Sequence, residues 1–251
     1  MSQQALTALL GRPGATITAT VPVLLYHLVN SAVNDPLCVK PKHFIGHIRA
    51  LQDAGYQVVS LSNLEEARRN GSRKIVVLTF DDGYADNVTE ALPILTRYKA
   101  SATMFLSTAY IGQDNLWNPR ATYRTRHASL RGLQEWLHSG QELQPHGHEH
   151  QSFLKLSRSE ISSNIRRSRD IVGQLTKSTP YAFAYPFGHH NANIRDMLRG
   201  SFRIAFSVGM QSEADPLALP RICVDDTVSP SELLKLCATR PRKANLRKYY
   251  V

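Results

Sequence analysis

The run Ile75-Val76-Val77-Leu78-Thr79-Phe80, nearly unbroken in its apolar character and followed at once by Asp81-Asp82-Gly83, constrains the fold of this chain more than any other stretch. Such a run cannot alternate between a core face and a wet face. It is therefore read as a strand covered on both sides, the usual position of a strand in a parallel sheet. Parallel strands need crossover connections, and these are commonly helices. The neighbouring sequence supplies that rhythm: apolar β-rich runs at 21–29 and 56–60 alternate with helical patterns at 41–54 and 64–70, and further strands are expected at 102–106, 142–144, 182–185 and 204–208. Ser62, Ser157 and Ser229 each stand three residues before a glutamate (Glu65, Glu160, Glu232), the pattern of a helix capping box. Pro230 follows Ser229 at a favoured first helical position. Strand and helix alternating in this way give an α/β fold with a parallel sheet, either closed as a barrel or open and doubly wound. Both place the active site at the carboxyl ends of the strands.

With 251 residues, 42% of them hydrophobic, the chain has ample material for one large α/β domain. No run approaches the roughly 18 to 20 apolar residues of a membrane span. The first twenty residues lack a basic segment followed by an apolar one, so no export signal is read and a cytoplasmic location is expected. Cys38, Cys223 and Cys237 are scattered and odd in number, which suggests neither a disulfide framework nor a cysteine metal site. Part of the net charge of +10 gathers in Arg240, Arg242, Lys243, Arg247 and Lys248, a basic tail at 240–251. Such a tail can contact a membrane surface or a phosphorylated or lipid-linked substrate weakly, and more often it is simply solvated. No zinc finger, RNP motif or helix-turn-helix accompanies it, so nucleic acid is not expected as a partner. Tyr110 to Arg126, containing Trp117, Asn118 and Pro119, has no clean period and reads as a long loop on the substrate side.

Asp81 and Asp82 emerge from the apolar strand at its carboxyl end. Adjacent side chains there diverge, so one carboxylate can hold a metal ion while its neighbour accepts a proton from the attacking water. As a plain structural motif, Asp-Asp-Gly is a turn. His146-Gly147-His148-Glu149-His150 follows the strand expected at 142–144. Histidines at i and i+4 can reach one ion from a single turn, with His148 and Glu149 pointing elsewhere. Two imidazoles and one carboxylate leave coordination positions open, as catalytic metal sites do. Phe183-Ala184-Tyr185-Pro186-Phe187-Gly188 ends a strand in a turn that could offer a backbone N–H to a developing oxyanion. His189 and His190 are read as loop residues.

These segments resemble the polysaccharide deacetylase family, that is carbohydrate esterase family 4 with its NodB homology domain. Thr79 to Tyr84 is similar to its TFDDG motif, His146 to His150 to its two-histidine motif, and Phe183 to Gly188 to its third motif. Val23-Leu24-Leu25-Tyr26-His27 resembles the N-terminal YH strand of the poly-N-acetylglucosamine deacetylase branch. The resemblance covers roughly residues 21 to 225. It implies a distorted (β/α) barrel of about seven strands and a catalytic domain at 21–239, between an N-terminal extension at 1–20 and the basic tail. It further implies an N-acetylated amino-sugar substrate and a divalent ion, zinc ahead of cobalt or nickel. Asp82, His146 and His150 become the metal ligands and Asp81 the general base, with Tyr185, Pro186 and Phe187 at the oxyanion and substrate. Many members carry a C-terminal histidine as general acid, yet the last 35 residues here have none, and His27 is the matching candidate. Ala184 stands where the third motif usually has arginine, a gap that Arg221 could fill by pairing with Asp81. Two alternatives are a catalytically inactive sugar-binding domain of the same fold and a two-histidine, one-carboxylate iron oxygenase. Retention of both aspartates and both histidines opposes the first, and the helix-rich alternation opposes the second, whose scaffold is all-β. A zinc metallopeptidase would need HExxH, which is lacking.

Overall fold

In chain order the computed structural model, which describes residues 21–115, 125–208 and 215–239, runs β1 (Val23–Tyr26), β2 (Leu28–Val29), β3 (Cys38–Val39), α1 (Pro41–Asp53), β4 (Gln57–Val59), α2 (Leu64–Arg69), β5 (Ile75–Phe80), α3 (Leu92–Arg97), β6 (Thr103–Leu106), α4 (Leu130–His138), β7 (Glu142–Pro145), α5 (Arg158–Thr176), β8 (Ala182–Ala184), α6 (Ala192–Leu198), β9 (Ile204–Phe206), β10 (Ile222–Cys223) and α7 (Pro230–Ala238). The expected N-terminal extension, the basic tail and the loop residues Trp117, Asn118 and Pro119 lie outside the described residues. Among the described residues no helix is long and apolar enough to cross a membrane.

All the paired strands run parallel. The main sheet has the order β10-β1-β5-β6-β7, with β4 also paired to β5. β8 and β9 form a parallel pair. The side chain of Gln144 on β7 accepts hydrogen bonds from the backbone N–H groups of Tyr181 and Ala182, which joins that pair to the main sheet. On the far side, Leu219 bridges to Phe206 of β9 just ahead of β10. Seven strands thus circle from β10 back to the segment that enters β10, a distorted (β/α) barrel with β2 and β3 paired beside it.

Strand residues point alternately inward and outward, and here the alternation places the chemistry. On β5, Val76, Leu78 and Phe80 face out into the cluster made with α1, α4 and α7, while Ile75 and Val77 face inward onto Phe105, Ala184 and Phe206. The outer cluster is covered by helical stripes such as Phe44, Ile48 and Leu51 of α1 at i, i+4 and i+7. Continuing the inward parity of β5 reaches Thr79 and then, just beyond the strand's end, Asp81. The same count along β1, from Val23 inward and Leu24 and Tyr26 outward, brings His27 to the barrel mouth.

Several local readings are corrected. The run at 21–29 is two strands broken at His27, and β3 and β10 are additional short strands. Ser62 does not cap α2; that helix starts after Asn63, with no side-chain cap, because the hydroxyl of Ser62 is within hydrogen-bonding distance of Ser60 and its N–H donates to Glu142. The reciprocal capping box forms at Ser157 and Glu160, and Ser229 accepts from the N–H of Glu232.

A π-helical turn at Asn87–Ala91 precedes α3. Asp86, just before it, is 4% exposed and accepts hydrogen bonds from the side chains of Asn30 and Asn87. Burial lifts its carboxyl to about 7, against the pull of Asn30 and the N–H of Val29. The folded chain therefore keeps this proton where an unfolded aspartate, with a pKa of about 3.9, has lost it. Stabilisation from the protonated carboxyl is complete below about pH 4 and drains away as pH rises through about 7. The melting temperature is expected to fall between pH 5 and pH 8 in the wild type, and to fall less in Asp86→Asn. Equal slopes in the two proteins would refute this.

Candidate active site

Asp82, His146 and His150 bring one carboxylate oxygen and two imidazole nitrogens within 4.8 Å of one another, all buried; no other such group occurs among the described residues. Nε2 of His150 lies 3.0 Å and Nε2 of His146 3.5 Å from Oδ1 of Asp82. Ligand bonds of roughly 2.0–2.2 Å around a tetrahedral zinc put neighbouring ligand atoms at about that separation. His146 donates Nδ1–H to the carbonyl oxygen of Ala184 at 2.9 Å, which leaves the Nε2 lone pair facing Asp82. Burial pushes the His146 imidazole down to about 4, against the opposing pull of Asp81, so it is neutral near pH 7 as a ligand must be. Oδ1 of Asp82 is buried, and the polar atoms that face it are the two imidazole nitrogens. A buried carboxylate oxygen facing two imidazole nitrogens fits a divalent ion.

The backbone is bent to make this cluster. Asp82 (φ 72), His150 (φ 48) and Phe187 (φ 60) are three of the five non-glycine residues with positive φ among the described residues; the other two, Lys99 and Lys177, follow helix ends. Backbone strain of this kind, about 1–3 kcal/mol per residue, collects at functional sites. Gly147 (φ 77) must be glycine on two counts, because a Cβ there would also meet Asn164 Oδ1 at 3.0 Å and Pro186 at 3.3 Å. That oxygen of Asn164 instead accepts from the N–H of His148 at 2.6 Å and holds the turn to α5.

Asp81 faces Arg221. Two guanidinium nitrogens lie 2.7 and 2.6 Å from Oδ1 and Oδ2 of Asp81, a bidentate pair buried at both ends. Arg221 enters at the start of β10 and runs up inside the barrel, stacked between Phe105 at 5.4 Å and Phe206 at 5.8 Å and donating to Thr79. Burial alone would raise the Asp81 carboxyl, but Arg221, then His146, hold it below its ordinary value, so it is ionised at any working pH.

His27 is 5% exposed and lies close enough to feel the charges of Asp82, Asp81, Arg221 and His150. Burial outweighs the attraction of Asp82 and Asp81 and lowers the pKa of His27. The side-chain amide of Asn87 donates to the His27 carbonyl at 2.7 Å and fixes the backbone there. Phe187 packs against His150 with ring centroids 4.6 Å apart. Pro186 is buried beside it, whereas Tyr185 has outward parity: its ring sits with Phe183 and its hydroxyl donates to the carbonyl of Leu217. His148 and Glu149 point away from the ligand cluster, His148 to Thr108 at 2.8 Å and Glu149 to Arg167 at 3.7 Å. The three cysteines are free thiols.

Two groups near the site were not singled out in the sequence. His127 is stacked between Tyr84 and Tyr110 at 5.0 and 5.4 Å, and its ring feels the charge of Asp82. Asn164 does have a readable signal. With Ser168 it interrupts the buried stripe Ile161, Ile165, Val172 of α5, and polar residues on a core face have a partner to meet.

Residues 68–200 match the sequence model of the polysaccharide deacetylase family, a little over half of the chain. A Bacillus subtilis protein named as a polysaccharide deacetylase is 26% identical over 198 residues, covering 78% of this chain and 65% of that protein, so the alignment spans just under two thirds of that relative. The poly-β-1,6-N-acetyl-D-glucosamine N-deacetylase of Staphylococcus epidermidis is 25% identical over 203 residues, covering 75% of this chain and 68% of that enzyme. Among solved structures, a Streptococcus pyogenes deacetylase in complex with acetate superposes with a TM-score of 0.74 at 26% identity, covering 88% of this chain and 99% of that one. The barrel, the motifs in their places at its mouth and these likenesses agree: the chain belongs to the polysaccharide deacetylase family.

Proposed function

We propose that this protein is a metal-dependent N-deacetylase, hydrolysing the acetamide of an N-acetylated amino sugar within a glycan, glycoconjugate or precursor and releasing acetate. The observation that carries the reading is the division of labour between adjacent aspartates: Asp82 lies with His146 and His150, while Asp81, with Oδ2 3.7 Å from Nε2 of His146, is held in a bidentate pair by Arg221. Residues 21–239 are taken as the catalytic unit. A divalent ion held by Asp82, His146 and His150, zinc in our reading, would supply Lewis-acid polarisation of the acetamide carbonyl. Water adds to the carbonyl carbon while Asp81 takes its proton, and Arg221 keeps that carboxylate ionised and aimed. The carbonyl oxygen gathers negative charge, and in this reading the N–H of Phe187 is its hydrogen-bond donor. The C–N bond breaks as the nitrogen gains a proton, for which His27 is the donor, leaving acetate and a free amine.

The test is acetate release from N-acetylglucosamine oligomers supplied free, nucleotide-linked and lipid-linked, with chelation abolishing turnover and added zinc or cobalt restoring it. The Staphylococcus epidermidis relative makes the β-1,6-linked polymer the first oligomer to try. Absence of acetate from every substrate would overturn the reading and favour a sugar-binding domain.

For His27→Ala, turnover is expected to drop by about 10² or more with metal content unchanged. An acid whose pKa is lowered loses its proton as pH rises, so its limb of the pH–rate profile falls below the ordinary histidine value of 6.5, and that limb should vanish in the variant. Undiminished turnover would pass the acid role to another group.

A further inference from the structure

The candidate ligands sit on two turns, Asp82 after β5 and His146 with His150 after β7, and the turn after β6 lies between them. Its N–H groups reach both sides: Ser107 donates to the carbonyl of Asp82 at 3.2 Å, Thr108 to that of Gly147 at 3.3 Å and Ala109 to that of His148 at 2.8 Å. The hydroxyl of Tyr110 donates to the carbonyl of Glu149 at 3.2 Å. Residues 126–128 close over the other side. The carbonyl of Arg126 accepts from Ala85 and the N–H of Ala128 donates to Gly83, both at 2.8 Å, while the Ala128 carbonyl accepts from Gly112 at 3.0 Å. His127 stands inside this frame, 1% exposed. Its ring lies between Tyr84, 5.0 Å away and inclined by 25°, and Tyr110, 5.4 Å away and inclined by 28°. Its N–H donates to the carbonyl oxygen of Gln113 at 2.8 Å, and its Nδ1 lies 3.3 Å from the same oxygen, so backbone and ring are pinned to one point. His127 has no part in the reaction described above and is not in the ligand group.

We infer that His127 is a positioning residue: stacked between Tyr84 and Tyr110, it locks the turns that carry Asp82, His146 and His150 at the spacing a divalent ion needs. Part of the metal affinity then resides in a ring that binds no metal. This rests on the metal site of the deacetylase reading. Asp82 (φ 72), Gly83 (φ 88) and His150 (φ 48) have left-handed backbone, a conformation that lasts only where the surroundings hold it. The stack does so from both ends, since Tyr84 is two residues beyond Asp82 and Tyr110 is bonded to the residue before His150. Ligands already held at their bound spacing lose little freedom when the ion arrives, and groups behind the ligands raise affinity in this way. A flat ring is what the slot between the tyrosines requires, so an aromatic replacement should serve and an aliphatic one should not.

Zinc affinity of the full-length chain, measured by competition with a chelator, is the first readout. His127→Ala should weaken it by roughly 10- to 100-fold, and His127→Phe should restore most of that loss. Affinity unaltered in His127→Ala overturns the inference, and so does a His127→Phe protein as weak as His127→Ala. The second readout is amide hydrogen exchange in the metal-free chain. In His127→Ala the amides of Ala85, Ser107 and Ala109 should exchange roughly tenfold faster, the scale of one ring pair, while those of α1 keep their rates. Faster exchange throughout the chain would mark a merely structural residue and overturn the inference. Should His127→Ala fail to fold, Tyr110→Ala opens the same stack from its half-buried end, with the same outcomes expected. A wild type that takes up no zinc rejects the metal reading, and the exchange pattern then decides alone whether the ring locks the turns.

Discussion

Asp81→Asn is expected to lower turnover by about 10² to 10⁴ while the protein keeps its metal, because the amide has the shape of the carboxylate and cannot take the proton of the attacking water. The metal should stay, since Asp82, His146 and His150 form their cluster without Asp81. Stability should not be spared. Arg221, with a side chain closed off from solvent, would lose its counter-charge, and removing one partner of a buried pair costs roughly 3–5 kcal/mol. Turnover must therefore be referred to folded, metal-loaded protein, with circular dichroism and metal analysis on the same sample. Arg221→Ala offers a cross-check: it leaves the carboxylate but removes the group that aims it and keeps it ionised, so both activity and stability should fall. A folded Asp81→Asn protein with near-normal turnover would end the assignment of Asp81 as base.

The second large effect separates neighbouring histidines of one motif. His150→Ala should weaken metal affinity by more than the 10- to 100-fold typical of changes behind the ligands, and abolish acetate release. His148→Ala should leave affinity within about tenfold, because its Nδ1 bonds to Thr108 and it stands outside the ligand group. Competition against a chelator of known affinity measures both. Equal loss in the two variants would mean that His148 has been wrongly placed outside the site. His146 has an additional dependence, since its ring is oriented by the carbonyl of Ala184. The position where the third motif usually carries an arginine thus serves here through its backbone.

The apolar β5 run determined by itself that the sheet is parallel and covered on both faces, and its end at Asp81 determined where the chemistry emerges. The i and i+4 spacing of His146 and His150 likewise marked one turn able to reach one ion. Such features are legible because they depend on residues adjacent in sequence and on the fixed periods of strand and helix. The breaks at strand ends were not, because whether 21–29 is one strand or two, interrupted at His27, depends on partners supplied by β3 and β5. Ser62 carries a capping pattern, yet a glutamate eighty residues away takes its N–H. Outward parity for Tyr185 follows from counting along β8, but only once the packing has shown which parity faces the interior.

Other features were decided by tertiary structure alone. Arg221 reaches Asp81 across 140 residues of chain, through a slot between Phe105 and Phe206 that exists only when the barrel closes. The pKa of His27 is set by the balance between burial and two carboxylates, which sequence proximity cannot give. Ser152 and His189, each unremarkable in its own loop, meet because the turns after β7 and β8 end side by side at the barrel mouth. The physical reason is common to all three: sequence fixes local direction through backbone periodicity, while distance, desolvation and the partner of a buried charge belong to the closed barrel.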